Sequence, residues 1–282
     1  MNKKLIFLDI DGTLTLPGSN EPPKSALDAV SAAQKKGHKV FLCSGRNPDM
    51  LSPLMKYGFD GAVASGGGYV FCGEKVLFDC PMDEGDFKKA MKLLEKAGVY
   101  RTIEAKDATF GDEQIAEFMG KISGGNSELI RWRKAIESNL GIRPMSEYDG
   151  RPIYKIVLIC AERAQLDPVI KEMGDGYHFV IQDMAQAGCI NGEMMTKSFD
   201  KGTGVRQVAA ALGFDISDTV GFGDSMNDLE MIETVGCGVC MENGSEALKK
   251  ISDIVCPPVD RDGLEKGFEL AGLIDEKVCL LF

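Results

Sequence analysis

The stretch that decides the fold runs from Leu5 to Thr13 and reads LIFLDIDGT. Four apolar residues in a row, ending abruptly in acidic residues, are typical of a short strand buried inside a sheet. Because side chains alternate along a strand, Asp9 and Asp11 would emerge on the same side at its carboxyl end. Open α/β sheets bind their ligands at that end, and Gly12 allows a sharp turn there. The stretch therefore predicts a cation site at a strand tip.

Short apolar runs alternate with helical patterns at both ends of the chain, which is typical of βαβ units on a parallel sheet. Working outward from the first stretch, the predicted strands are Leu5–Leu8, Lys39–Cys43, Gly61–Ala64, Thr219–Phe222 and Gly236–Met241. The predicted helices follow Pro22-Pro23, and then span Asn47–Lys56, Lys201–Leu212, Asp228–Glu233 and Ser245–Lys250. We expect an α/β fold, a doubly wound parallel sheet of Rossmann type.

The middle of the chain has longer amphipathic helices and glycine-rich connections. The helices are predicted at Phe87–Ala97, Glu128–Leu140 and Ala164–Met173, and the strands between them at Val99–Glu104, Tyr154–Cys160 and His178–Gln182. An inserted α/β domain over residues 81–192 explains this change most simply. Residues 1–80 and 193–282 would then form one core domain.

Composition excludes several classes of function. The 282 residues carry a net charge of -11, which would repel a nucleic-acid backbone over most of the surface. The nine cysteines are odd in number and lie in apolar contexts, so we expect no disulfide framework and a cytoplasmic location. No stretch approaches the roughly 20 apolar residues of a membrane span, so no membrane association is expected.

Polar tips follow two further predicted strands. Ser44-Gly45-Arg46 follows the second strand, where a hydroxyl and neighbouring amides at a helix N-terminus suit an anion. The segment Gly223–Asp228 reads GDSMND and follows the Thr219–Phe222 strand. Within it, Asp224 and Asp228 lie four residues apart, so that one can ligate a metal ion while the other supports it. Three parallel strand ends would thus converge on one crevice.

Taken together, these elements resemble the haloacid dehalogenase superfamily of phosphatases. The matching positions are Asp9-x-Asp11-Gly12-Thr13 for the first motif, Ser44 for the second, Lys201 for the third and Gly223-Asp224-x-x-Asn227-Asp228 for the fourth. The insertion and the Asn-Asp pair are similar to the Cof-type subgroup, with its sugar-phosphatase and phosphomannomutase relatives. The resemblance covers the whole architecture of the chain. It implies that residues 81–192 form a cap domain that selects the substrate, and that residues 1–80 and 193–282 form the catalytic core.

The resemblance implies a role for each residue. Asp9 would attack phosphorus to form an aspartyl phosphate, and Asp11 would protonate the leaving oxygen and then activate water. Mg²⁺ would be held by the Asp9 carboxylate, the Asp11 carbonyl and Asp224, with Asp228 in support. The phosphorylated substrate would be bound by Gly12, Ser44, Gly45, Arg46, Lys201 and Asn227.

Departures from the family pattern leave two points open. The third motif reads Lys197-Ser198-Phe199-Asp200-Lys201-Gly202, so Lys197 is an alternative to Lys201. An Asn-Gly pair at the third strand's end is replaced by Ser65-Gly66, which could alter a substrate contact. The Cys237/Cys240 pair has metal-site spacing, but it falls in a predicted buried strand without further ligands, and a structural role is favoured.

Three functions are compatible with these observations. The first is a Mg²⁺-dependent hydrolase of a small phosphorylated metabolite, such as a sugar phosphate. The second is a hexose phosphomutase, for which only the basic cluster Arg131–Lys134 in the insertion argues, as a grip on a second phosphate. The third is a non-catalytic binding protein, which the presence of both Asp9 and Asp11 disfavours.

Overall fold

The computed structural model describes residues 3–115, 141–184 and 189–275, which form two units. The first unit comprises the chain up to Arg46, then Met50–Asp79, and then the part from Phe199 onward. The second comprises Cys80–Ser198 together with Asn47–Asp49. The expected domain boundary at residue 192 falls inside a strand, Cys189–Thr196, which belongs wholly to the second unit.

An eight-stranded sheet forms the centre of the first unit. Its strands are β1 (Leu5–Leu8), β2 (Lys39–Cys43), β3 (Gly61–Ala64), β4 (Tyr69–Cys72), β5 (Lys75–Asp79), β12 (Thr219–Gly223), β13 (Cys237–Met241) and β14 (Ile254–Cys256). They lie in the order β14-β13-β12-β1-β2-β3-β4-β5, and the six from β14 to β3 are parallel. The predicted doubly wound α/β fold is confirmed.

Helices cover both faces of this sheet. They are α1 (Lys24–Lys35), α2 (Pro48–Met55), α5 (Lys201–Leu212), α6 (Leu229–Thr234), α7 (Glu246–Ile251) and α8 (Gly263–Leu270). On β1, Ile6 and Leu8 join the core shared with α1 and α8, whereas Leu5 and Phe7 join the core shared with α5 and α6. All four side chains are fully buried, which explains why β1 reads as a continuous apolar run instead of an alternation.

A hairpin at one edge of the sheet was not predicted. β4 pairs antiparallel with β3, and β5 pairs antiparallel with β4. Gly73 closes the turn between them with φ +56°, a backbone conformation that glycine adopts without strain. The sheet is therefore parallel through its centre and mixed at this edge.

The second unit contains a six-stranded sheet in the order β10-β11-β9-β6-β7-β8. Its strands are β6 (Tyr100–Glu104), β7 (Thr109–Gly111), β8 (Ile142–Pro144), β9 (Lys155–Cys160), β10 (Tyr177–Met184) and β11 (Cys189–Thr196). The described helices are α3 (Glu84–Lys96) and α4 (Asp167–Met173), whose apolar faces pack with Ile103, Ile156 and Leu158 in one core. The helix expected at Glu128–Leu140 lies outside the described residues. None of the helices in the described ranges has the length and apolar character needed to cross a membrane.

Candidate active site

The three segments predicted to carry site residues begin where neighbouring parallel strands end. β1 lies between β12 and β2, with Leu8 in register with both Phe222 and Leu42. Asp9 follows β1 directly, and its N–H donates to the Phe222 carbonyl at 2.9 Å. Because the strands are parallel and in register, the tips that carry Asp9, Ser44 and Asp224 lie at the same edge of the sheet.

The amino end of α5 brings Lys201 to these tips. Close packing of α5 depends on two glycines, because a Cβ on Gly202 would stand 2.4 Å from the Glu230 carbonyl oxygen and one on Gly204 2.3 Å from a Val63 methyl. Asp200 caps the helix by accepting a hydrogen bond from the Thr203 N–H at 2.6 Å. The residues around Lys201 thus allow the first turn of α5 to pack closely, and this places the Lys201 side chain beside the strand tips.

Lys201 joins two of the predicted carboxylates. Its buried ammonium donates to Asp9 Oδ1 at 2.8 Å, to Asp228 Oδ1 at 2.5 Å and to Asn227 Oδ1 at 3.3 Å. Burial alone would lower the pKa of Lys201, but the attraction of Asp228 and Asp9 outweighs it and raises that pKa well above the usual value. The alternative Lys197 donates instead to the Gly174 carbonyl at 2.6 Å.

Asp228 supports the other residues of this cluster. Its side chain is fully buried, with Oδ1 on Lys201 and Oδ2 accepting from the N–H groups of Asp224 at 3.0 Å and Ser225 at 3.1 Å. Both oxygens are therefore engaged by the protein itself. The GDSMND segment folds as a short 3₁₀ turn over Met226–Asp228 that leads into α6, and this turn places Asp228 behind Asp224.

The carboxylates of Asp9, Asp224 and Asp228 have oxygens within 4.8 Å of one another, and they are the only group of three or more such side chains in the described part of the chain that could hold a metal ion. Burial, and then repulsion by Asp228, raises the pKa of Asp9 to about 7 even though Lys201 opposes the shift. Burial, and then repulsion by Asp9, raises the pKa of Asp224 to about 8. One ammonium group therefore leaves the cluster with uncompensated negative charge.

A divalent cation fits this donor set. Oδ1 of Asp224 is buried and has no hydrogen-bond partner among the described residues, which is an unfavourable state for a carboxylate unless a cation binds it. Oxygen ligands of this kind are those that Mg²⁺ prefers. Asp9 and Asp224 would supply carboxylate oxygens, whereas Asp228 would act from behind them.

Gly12 and Asn243 shape the immediate surroundings of Asp224. Gly12 has φ +98°, and a Cβ there would lie 2.3 Å from Asp224 Oδ2. Asn243 Nδ2 donates to the Gly12 carbonyl at 3.0 Å and to Asp224 Oδ2 at 3.3 Å, so it ties the two loops together. Sequence reasoning missed Asn243. Its signal was a polar tip, Glu242-Asn243-Gly244, after the predicted strand that became β13.

Ser44 and Arg46 lie at the tip of β2, but their side chains differ in environment. Ser44 is buried, and its Oγ accepts from the Arg46 N–H at 3.2 Å. The Arg46 guanidinium contacts Asp11, with Nε to Oδ2 at 3.1 Å and Nη2 to both oxygens at 2.9 Å. At Gly45, an added Cβ would meet no atom within 4 Å, so packing does not require a glycine there.

The glycine run after β3 packs against the start of α5. A Cβ on Gly67 would stand 2.0 Å from the Asp200 carbonyl oxygen, and one on Gly68 2.6 Å from the Phe199 ring. Ser65 has φ +51° and its N–H donates to the Arg46 carbonyl at 2.8 Å. The departure at Ser65-Gly66 therefore lies beside the Ser44–Arg46 tip. The basic cluster Arg131–Lys134 lies outside the described residues.

Comparisons with known proteins show the family to which the chain belongs. The sequence profile of the haloacid dehalogenase-like hydrolases matches residues 6–268. A Bacillus subtilis (strain 168) protein named "Putative phosphatase YkrA" is 30% identical over 279 residues, which are 97% of this chain and 100% of that protein.

Two solved structures have the same fold. A hypothetical protein of Geobacillus kaustophilus HTA426 superposes with a TM-score of 0.80 at 26% identity, over 97% of this chain and 100% of the other. The HAD subclass IIB sugar phosphatase BT4131 superposes with a TM-score of 0.76 at 23% identity, over 96% of this chain and 100% of the other. On the strength of the profile match and the YkrA similarity, this chain belongs to the haloacid dehalogenase-like hydrolase family and is a phosphatase of that family.

Proposed function

We propose that the protein is a Mg²⁺-dependent phosphomonoester hydrolase that acts on a small phosphorylated metabolite, such as a sugar phosphate, through an aspartyl-phosphate intermediate. The observation that carries this proposal is the contact of Asp9 with Lys201 beside the unpartnered Asp224 oxygen. A buried carboxylate next to a fixed ammonium group, with uncompensated negative charge around it, suits attack on phosphorus once a cation is bound.

In the first step a carboxylate oxygen of Asp9 forms a bond to phosphorus while the bond from phosphorus to the ester oxygen breaks. Asp11 gives a proton to that oxygen, so the product leaves as an alcohol. In the second step Asp11 takes a proton from water, the hydroxide oxygen attacks phosphorus, and the acyl-phosphate bond to Asp9 breaks. Inorganic phosphate is released and both aspartates return to their starting state.

Several residues would stabilise the transferring phosphoryl group. Lys201 and Asn227 already share a hydrogen bond at 3.3 Å, and Ser44 lies at the neighbouring strand tip, so we propose all three as ligands of its oxygens. Mg²⁺, held by Asp9, Asp224 and the Asp11 carbonyl with Asp228 in support, would neutralise charge that otherwise repels a phosphate dianion.

Phosphate release from a panel of phosphorylated metabolites, with and without Mg²⁺, tests the proposal. We expect Mg²⁺-dependent release from at least one small ester by the wild type and none by Asp9→Asn. Parallel reactions with a sugar bisphosphate added would reveal a mutase, because a mutase returns the phosphoryl group to a sugar instead of to water. Absence of phosphate release from every ester would refute the proposed function.

We also propose a reducing compartment, the cytoplasm, as the site of action. Cys43, Cys160, Cys240 and Cys256 are buried and form no disulfide. Buried, unpaired cysteines of this kind behave as small apolar side chains in cytosolic proteins.

A further inference from the structure

The Arg46 side chain is buried in the first unit, and its guanidinium group is held there by hydrogen bonds. Its side chain is only 5% exposed, whereas the Asp11 side chain that it contacts is 25% exposed. Nε and Nη2 grip the two carboxylate oxygens of Asp11, and Nη1 donates to Asn20 Oδ1 at 2.6 Å. Each of the three guanidinium nitrogens thus has a partner on the segment that follows β1.

The backbone of Arg46 is also held by hydrogen bonds. Its N–H donates to Ser44 Oγ at 3.2 Å, and its carbonyl accepts from the Ser65 N–H at 2.8 Å. In addition to the Arg46 contacts, Asp11 Oδ1 accepts a hydrogen bond from the Gly18 N–H at 2.9 Å. A two-pronged arginine contact defines the plane of a carboxylate, which a single point charge cannot do.

We infer that Arg46 is a positioning residue, which fixes the plane of the Asp11 carboxyl group, and is not itself a ligand of the phosphate ester. The inference rests on the proposed function, in which Asp11 moves the protons. General acid–base catalysis requires the transferring group to stand within hydrogen-bond reach of the ester oxygen. A carboxyl free to rotate would seldom occupy that position.

The alternative role, direct contact with phosphate, gives a different pattern of losses. A phosphate ligand contacts the phosphoryl group, which all of the esters share. Its removal therefore slows the hydrolysis of every ester by the same factor and weakens the binding of orthophosphate. A residue that orients the acid matters only when the leaving oxygen needs a proton. An alkyl phosphate has such an oxygen, whereas 2,4-dinitrophenyl phosphate releases a stable phenolate without protonation.

The experiment compares kcat/KM for glycerol 2-phosphate and 2,4-dinitrophenyl phosphate in the wild type, Arg46→Gln and Arg46→Lys. This parameter depends only on the steps up to phosphoenzyme formation, so the rate of the later attack of water does not affect the comparison. For Arg46→Gln we expect a loss of about 100-fold on the alkyl ester, the lower range for general acid catalysis, and less than about 5-fold on the aryl ester. Arg46→Lys should fall between the wild type and Arg46→Gln, because it keeps the charge and loses the two-pronged contact.

Two further measurements separate positioning from a structural effect. The inhibition constant of orthophosphate should change by less than about 3-fold in Arg46→Gln, since no phosphate ligand is removed. In an Asp11→Asn background, Arg46→Gln should cause no further loss on the alkyl ester, because the group that it orients is gone. Arg261→Gln, which removes an exposed arginine paired with Glu242, is the matched control and should leave both esters unaffected.

Equal losses on the two esters with weaker orthophosphate inhibition would make Arg46 a phosphate ligand and overturn the inference. Additive losses in the double variant would also overturn it. If Arg46→Gln does not fold, the losses in kcat/KM on the two esters are compared in Arg46→Lys instead, and the same outcomes support or overturn the inference. An inactive wild type would refute the proposed function itself, whereas an active wild type with equal losses refutes only the role of Arg46.

Discussion

The substitution Asp224→Asn should abolish Mg²⁺-dependent activity and yet make the metal-free protein more stable. Burial and the neighbouring charges of Asp9 and Asp228 raise the pKa of Asp224 from 3.8 to about 8. Asparagine has nearly the same shape, and its amide oxygen can still accept the hydrogen bond that Asn243 Nδ2 gives to Oδ2. The variant therefore loses an unfavourable charge and a ligand of the cation at the same time.

The sign and size of the effect follow from linkage. A carboxyl group whose pKa is higher in the folded state than in the unfolded chain makes stability fall as pH rises between about 4 and about 8. A rise from 3.8 to about 8 sets an upper limit of roughly 6 kcal/mol on this loss at pH 8, at about 1.4 kcal/mol per pH unit. The same reasoning gives only roughly 1.5 kcal/mol at pH 5. Allowing for solvent around Asp224, we expect the variant to gain about 2 to 4 kcal/mol at pH 8 and under about 1 kcal/mol at pH 5.

Urea unfolding followed by circular dichroism, in EDTA at pH 5 and pH 8, measures these gains. Asp260→Asn is the matched control, because Asp260 is exposed and lies in the same unit. Added Mg²⁺ should stabilise the wild type and the control, and should leave Asp224→Asn nearly unchanged. A variant that is less stable than the wild type in EDTA at pH 8, or a gain that is equal at both pH values, would refute the reasoning.

Four other outcomes are expected. Asp9→Asn should remove all turnover with the circular dichroism spectrum unchanged; activity above one-thousandth of the wild type would remove Asp9 from its proposed role. Replacing Mg²⁺ by Ca²⁺ should lower kcat by at least about 10-fold, because Ca²⁺ takes more ligands at longer distances; equal rates would contradict the proposed site. Gly12→Ala should abolish Mg²⁺ binding measured by calorimetry, whereas Gly18→Ala, also at positive φ but with open space around it, should cost only about 1 kcal/mol of stability. Lys201→Met should lower metal-free stability by about 3 kcal/mol, since it leaves Asp9 and Asp228 buried without their cation; a denaturation midpoint equal to that of the wild type would show that the ion pairs contribute nothing.

The centre of the fold could be predicted because its sequence signals are local and mutually consistent. β1 is buried on both faces, so its apolar run has no competing interpretation, and α5 occupies the predicted range Lys201–Leu212. Polar residues directly after apolar strands then predict the edge of the sheet at which the candidate site lies, since parallel strands in register end together. These signals give Asp9, Ser44 and Asp224 without any knowledge of long-range contacts.

The hairpin of β4 and β5 could not be recognised in the same way. Its residues are mostly half-buried or exposed, so the apolar pattern is weak, and it follows the glycine run Ser65–Gly68, which reads as a loop. The glycines are explained by contacts distant in sequence, with Phe199 and Asp200 at the start of α5. No local pattern contains that information.

The orientation of Arg46 was equally inaccessible from sequence. Its position at the tip of β2 predicted contact with substrate, but its orientation depends on the loop that follows β1, where Asn20 contacts Arg46 and the Gly18 N–H contacts Asp11. Asn243 is a similar case, because its importance appears only when β13 is seen to end beside β12. In both cases the sequence identifies the edge of the sheet, and packing between loops decides the contact.

The acidic cluster shows why such a site is stable enough to exist and still ready to bind a cation. Lys201 and two backbone N–H groups satisfy Asp228, and Lys201 also satisfies one oxygen of Asp9, so the back of the cluster is held by the protein. Asp224 is left with a buried oxygen that accepts no hydrogen bond from any described group. The unfavourable charge therefore lies on Asp9 and Asp224, the two carboxylates that would hold Mg²⁺. The free oxygen of Asp224 could bind the ion without first breaking a hydrogen bond. A second lysine in the cluster would improve stability and remove the reason to bind Mg²⁺, which is the trade-off that the Asp224→Asn experiment measures.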